Sequence, residues 1–156
     1  MKKWVIILGL CMLFVLWQAV QLYVTVQKDK NESLVSAEQW VQEHESDLTV
    51  IDTHRFHGSQ SYNVLTVEKK DGEKEYVFLN EDVEVHRISF NDIRDSEDVM
   101  ALAEVERGLS EILRVSPAYR HTFLWEIVAY NTDGQLQYIY YTMQDGEYQN
   151  SYTLSN

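Results

Sequence analysis

The histidines are the first residues in this sequence to consider for chemistry, because imidazole is a common metal ligand. His54 and His57 form the closest pair. Side chains three residues apart on a strand point to opposite faces of the sheet, so this pair does not converge on one ion. His44, between two glutamates, lacks the second histidine four residues away that marks a zinc-protease helix. The sequence therefore predicts no metal site.

Side chains that could act as nucleophiles give no better signal. Cys11 is the one cysteine and lies in a long apolar run, so the rest of the chain has no thiol for a disulfide, a metal or catalysis. The sequence contains no G-x-S-x-G motif, and Ser61 or Ser110 with a distant histidine is a pairing that any chain of this size offers. We therefore expect no catalytic residue and no bound cofactor.

Paired acids of the kind that cleave glycosides could be drawn from Glu126, Asp133 and Asp145. Asp133 and Asp145 each precede a glycine, and a turn explains that placement. Glu126 stands between Trp125 and Ile127, so on a strand it faces away from both and is expected to point to solvent or into a polar groove. The sequence predicts that the protein is not an enzyme, and it leaves Glu126 as an exposed residue or part of a recognition surface.

A tyrosine-rich segment offers the best candidate for protein binding. On a strand, Tyr138 and Tyr140 share one face, while Ile139, Tyr141 and Met143 share the other. One set is expected in the core. The other, if exposed, would form an aromatic patch of the kind enriched at protein interfaces, with a plain sheet face as an equal alternative. The candidate protein-binding residues are Trp125, Glu126, Tyr130, Tyr138 and Tyr140, with the core as the alternative place for Trp125.

An uncharged stretch at residues 4–26 precedes all of these residues. As a helix with a rise of about 1.5 Å per residue it reaches roughly 34 Å, enough for a hydrocarbon core of about 30 Å. Ala19 has no small partner to complete the A-x-A-like site of a cleaved signal peptide. The short segment with Lys2 and Lys3 is expected to stay inside. We therefore predict a cytoplasmic stub and single-pass membrane anchor over 1–26, with the C-terminal part extracellular.

The chain is strongly acidic, with a net charge of −12. All 25 acidic residues follow residue 26. Binding to nucleic acid depends on contacts from Lys and Arg to phosphate, so nucleic acid is excluded as a partner. Basic partners, metal cations or simple solubility remain open as reasons for the acidic surface.

Beyond the anchor, helical and strand patterns alternate. Apolar residues at three- and four-residue steps predict a stalk helix over 27–46. A second helix begins at Asp95 or Ser96 and ends before Gly108. Alternating residues bounded by Asp-Gly turns predict strands. These lie at 48–56, 62–67, 76–79, 83–88, 112–119, 123–130, 135–143 and 148–154.

The two halves share this order of helix and hairpins. A constant shift lays Asp71-Gly72 onto Asp133-Gly134 and Leu65 onto Ile127. We predict an α+β fold in which the anchor is followed by two units, each a helix packed on an antiparallel sheet. The first unit, with the stalk helix, covers 27–92, and the second covers 93–156.

The second unit resembles a known family in two places. One is Ser96-Glu97-Asp98 leading to Gly108. The other is Leu124-Trp125-Glu126-Ile127, which continues through Tyr130 and Asp133-Gly134 to Tyr138–Tyr141 and Asp145-Gly146. With the anchor, these features resemble the TseB/YpmB-like proteins of Gram-positive bacteria, which are built from paired PepSY-like, cystatin-related units.

The resemblance implies a function outside the cell. It implies a non-enzymatic, membrane-anchored regulator of cell-wall elongation that binds a penicillin-binding protein or another membrane or cell-wall protein. It brings no catalytic residues with it. The alternative that the resemblance leaves open is a PepSY-type peptidase inhibitor or sensor domain.

Overall fold

A computed structural model describes residues 2–58, 60–80, 82 and 84–154, with side chains at 12, at 14–24 and within the described residues from 34 onward. The first element is a single helix, α1 (Lys2–His44). The chain divides into two units, residues 1–36 and residues 37–156, so only the last turns of α1 belong to the larger one. The predicted stalk is thus the continuation of one helix.

The predicted anchor, residues 4–26, falls partly on residues whose side chains lie outside this description. Among the described residues, no helix combines the length and the apolar character that crossing a membrane requires.

The larger unit contains two antiparallel sheets of four strands, each preceded by helix. The sheets have the simple orders β1-β2-β3-β4 and β5-β6-β7-β8. Two four-stranded sheets, each preceded by a helix, confirm the predicted α+β fold of two helix-and-sheet units. The first sheet comprises β1 (Leu48–His57), β2 (Ser61–Lys69), β3 (Lys74–Asn80) and β4 (Val85–Ser89), and a short 3-10 turn (Phe90–Asp92) follows it. The second part comprises α2 (Ser96–Arg107), β5 (Leu109–Tyr119), β6 (Phe123–Asn131), β7 (Leu136–Thr142) and β8 (Tyr148–Leu154).

Capping residues define α2 as the sequence predicts. The Asp95 side chain accepts a 2.8 Å hydrogen bond from the Glu97 amide and so satisfies one of the free N–H groups at the helix start. Gly108 ends the helix in the left-handed region, with φ of 59°.

The end of α1 covers one face of the first sheet. Ala37 and Val41 are fully buried against the alternate residues of β2 and β3 that point to this side. Because strand residues alternate between faces, the other face of the same sheet carries a second apolar set, which includes Val64 and Phe78. The residues of the α1-side core are Ala37, Val41, Leu65, Val67, Val77 and Leu79.

The larger core joins the two halves of this unit. Val64 and Phe78 of the first sheet share it with Val99 of α2 and with Trp125 and Ile127 of β6. Aromatic contacts connect the two halves. For example, the rings of Tyr76 and Trp125 meet edge to face, with their centroids 5.9 Å apart. One face of the second sheet supplies Trp125 and Ile127 to this core, and Leu124 and Tyr140 of the opposite face also belong to it.

Candidate functional site

Strand register sorts the candidate residues of the second sheet onto two faces. Glu126 lies opposite Tyr140, and Tyr138 lies opposite Val128 in the pairing of β6 with β7. Residues paired in this way point to the same side. Glu126, Tyr130, Tyr138 and Tyr140 thus share one side, which we call the open face.

Trp125 lies on the other side of the sheet. It is 4% exposed in the larger core, and its indole Nε1 donates a 3.0 Å hydrogen bond to the Arg94 carbonyl oxygen. Of the five predicted protein-binding residues, Trp125 is the one that the structure separates from the rest, and the core position is the alternative that the sequence allowed.

Glu126 is buried, which corrects the expectation that it points to solvent or into a polar groove. Only 5% of the residue is exposed. Its Oε1 accepts a 2.7 Å hydrogen bond from Arg114 Nη2, and its Oε2 accepts one of 2.7 Å from the Tyr140 hydroxyl. The cause is that two long side chains from neighbouring strands lie across it, and no pattern within one strand reveals them.

Tyr140 is also buried, at 2% exposure, and it belongs to the larger core although its strand register places it on the open face. The Arg120 guanidinium lies over its ring, 4.2 Å from the centroid, and Nη2 donates a 3.0 Å hydrogen bond to its hydroxyl. Burial and the bond to Glu126 raise the pKa of Tyr140 above its ordinary value. The hydroxyl therefore stays protonated and can donate to Glu126 while it accepts from Arg120.

No helix of the described larger unit covers the open face. The end of α1 packs on the first sheet, and α2 packs on the opposite side of the second, where Tyr141 donates a 3.1 Å hydrogen bond to Glu106 of that helix. On the open face Tyr130 and Tyr138 are half-buried, and Tyr152 is 50% exposed. Aromatic rings are thus available to a partner on this side.

The sequence did not identify the two arginines of the open face, Arg114 and Arg120. Arg114 lies on β5, whose register with β6 shifts between Ile112 and Arg114. That shift is invisible in a periodic pattern, and it places Arg114 opposite Val128, on the same side of the sheet as Glu126. Tyr152 was not identified either, and the structure places it opposite Tyr138 on the next strand.

The open face carries charges of both signs. Arg114 donates to Glu126, Arg120 donates to the Tyr140 hydroxyl, and Glu111, which lies opposite Tyr130, adds a second carboxylate to this side. Both carboxylate oxygens of Glu126 are hydrogen-bonded, and Tyr140 is held in its protonated form. These bonds hold the side chains of this face in place.

The two closest histidines, His54 and His57, lie on β1. His54 Nε2 is 3.4 Å from the Pro117 carbonyl oxygen, and burial lowers the pKa of His54. His57 is exposed, with Nδ1 3.2 Å from Ser61 Oγ. Across the described residues, no group of three or more His, Cys, Asp or Glu side chains converges as metal ligands would.

A concave region lies where α1 ends. This cleft of about 770 Å³ is rich in charge, and most of its charged side chains lie in ion pairs. Arg87 donates a 2.7 Å hydrogen bond to Glu45 and lies 3.3 Å from Glu75, while Lys69 lies 3.4 Å from Glu75. We interpret it as an ion-pair network that fixes the end of α1 to the first sheet.

Comparison with known proteins gives a likeness of fold. The chain is similar to the solved structure of the YpmB protein from Bacillus subtilis, with a TM-score of 0.70 and 21% identity over 76% of this chain and 96% of that one. No protein-family model matches the sequence, and no curated protein matches it either. The protein therefore has a YpmB-like fold.

Proposed function

We propose that the protein is an extracytoplasmic, membrane-anchored protein-binding regulator of cell-wall elongation that acts with a penicillin-binding protein. The observation that carries the binding role is the open face. It presents Tyr130, Tyr138 and Tyr152 beside Arg114, and tyrosine and arginine are enriched where binding energy concentrates at protein interfaces.

The rigidity of this face supports the same role. Tyr140, Glu126 and the two arginines form one hydrogen-bonded chain, so the surface is held in place before a partner arrives. A preorganised surface loses less conformational entropy on association. The uncharged run at residues 4–26 supplies the anchor in this proposal, and the YpmB-like fold is compatible with the cell-wall role.

The test is photo-crosslinking of the full-length protein in membranes of its host. A photoreactive residue replaces Tyr138 on the open face or, as the control, Val105, which is 85% exposed on α2. We expect the Tyr138 position to capture a penicillin-binding protein and the Val105 position not to capture it. Capture of a peptidase from Tyr138 would favour the inhibitor or sensor alternative. Equal capture from both positions, or no capture from Tyr138, would overturn the proposal.

A further inference from the structure

The four outer strands of the two sheets differ in their protection against pairing with another strand. Edge strands normally carry charges, prolines or bulges, or are very short, because an unprotected edge recruits further strands. On β1, Asp52 and Arg55 supply charge, and β4 is short and carries Arg87. On β5, Pro117 and two register shifts supply protection together with charged residues.

The strand β8 lacks every one of these charge and proline devices. Its sequence, YQNSYTL, contains no charged residue and no proline, and all of its residues are exposed. It is the last strand in the order β5-β6-β7-β8, so its outer edge pairs with no other strand in the described part of the chain. One irregularity, opposite Tyr140 and Tyr141, is confined to its start.

We propose that β8 is a docking edge, to which an extended segment of the partner adds as a fifth strand of the second sheet. This inference rests on the proposed protein-binding function and names how the partner is held. Main-chain hydrogen bonds to the edge supply affinity in such additions, and pockets for alternate side chains supply specificity. Tyr152 and Leu154 lie at this edge, about half exposed, and alternate side chains of the added strand would cover them.

The charges around β8 specify the chemistry of that segment. Glu147 directly precedes the strand, and Asp133 lies in the turn before Leu136, which is paired with Leu154. Arg107 lies over the Tyr148 ring and Arg120 contacts the Tyr152 hydroxyl, so charges of both signs lie along the edge, and the net charge of −12 on the chain is what favours a basic segment. The complementary segment is neutral and β-forming in its centre and carries Lys or Arg at its ends. A second copy of this chain is a poor occupant, because two molecules of net charge −12 repel each other.

The experiment uses the full-length chain and a synthetic probe. The probe is a peptide of alternating Thr and Val with a pair of lysines at each end, and its matched control has glutamates in place of the lysines. Binding is followed by fluorescence polarisation, and amide hydrogen exchange shows which strand is protected. We expect the lysine peptide to protect the β8 amides and not the β5 amides, and to bind at least about tenfold more tightly than the glutamate peptide, a difference of about 1.4 kcal/mol.

Two lysine substitutions that change the net charge equally distinguish binding at the β8 edge from binding elsewhere on the molecule. Ser151→Lys places a charge in β8, and Thr49→Lys places one at an exposed position of the outer strand β1. We expect Ser151→Lys to weaken binding of the lysine peptide at least about tenfold more than Thr49→Lys does. Equal weakening, equal affinity for the two peptides, or the absence of β8 protection would overturn the docking edge. So would β8 protection that appears without peptide and rises with protein concentration, since a second copy would then occupy the edge.

These outcomes are distinguishable from failure of the proposed function. If β8 is not the docking edge but the proposed function is correct, the lysine peptide leaves the β8 amides unprotected while the Tyr138 position still captures a penicillin-binding protein. If the function is wrong, that capture fails whatever the peptide does.

Discussion

The Tyr140 hydroxyl donates a 2.7 Å hydrogen bond to Oε2 of Glu126, directly across the β6–β7 pair. Both side chains are buried on the side of the second sheet that no helix of the described larger unit covers. The aliphatic and planar parts of arginine can cover apolar surface while the charged end reaches water, and Arg120 does so over the Tyr140 ring. The hydrogen-bonded pair of Tyr140 and Glu126 therefore fixes the buried side chains of the open face.

Removal of the Tyr140 hydroxyl should destabilise the protein. In Tyr140→Phe, Glu126 Oε2 loses its donor in a buried site, and a buried acceptor without a partner costs about 1–3 kcal/mol. Tyr138→Phe is the matched control, because the Tyr138 hydroxyl makes no hydrogen bond to the described residues and its removal should change the free energy of unfolding by less than about 0.5 kcal/mol. Urea unfolding measures both values. Equal values for the two variants would show that the bond contributes nothing.

Acid should weaken the fold through His54. Burial lowers the pKa of His54 below 6.5, against the opposing effects of Pro117, Asp52 and Glu126 and in the same direction as Arg114. The unfolded state then binds a proton more readily, so this stabilisation is present above about pH 6.5 and is lost as the pH falls through the folded-state pKa. We expect urea midpoints to fall less between about pH 7 and about pH 5 in His54→Gln than in the wild type.

The exposed His57 provides the control for this experiment. His57→Gln makes the same change of residue type at an exposed position of the same strand, so it shows what the substitution itself does apart from burial. A pH dependence that persists unchanged in His54→Gln would assign the acid sensitivity to other groups.

Local patterns in the sequence were sufficient to predict the helices and strands of this fold. They were not sufficient to predict which residues meet across neighbouring strands. Asp95, Gly108 and the Asp-Gly turns act within a few residues, so their effects can be read along the chain. The burial of Glu126 depends on Arg114, which a shift of register brings to the same side of the sheet, and on Tyr140 of another strand. Such pairings become visible only when the strands are placed side by side.

Gly108 should tolerate asparagine better than alanine. Its φ of 59° lies in the left-handed region, where a Cβ costs about 1–2 kcal/mol, and a Cβ here would meet no atom within 4 Å. The cost of Gly108→Ala is therefore conformational and should be about 1 kcal/mol in urea unfolding. Gly108→Asn should cost less, because Asn adopts this conformation more readily. If Asn proves as costly as Ala, the strain at this cap is not the cause.

The end of α1 should contribute to the stability of the first sheet through Val41. This side chain is fully buried with Leu65 and Val77, so Val41→Ala removes apolar contact and leaves a cavity, at a cost of roughly 1.5–3 kcal/mol. Val105→Ala on α2 is the matched control, because Val105 is exposed and alanine is the better helix former, which predicts no loss. Amide hydrogen exchange should also show faster exchange over residues 37–44 in Val41→Ala alone. If the two variants unfold at the same urea concentration, the apolar contact of Val41 does not stabilise the sheet. The attachments of this end of α1 would then be polar, through the Thr53–Glu38 hydrogen bond and the Arg87–Glu45 ion pair.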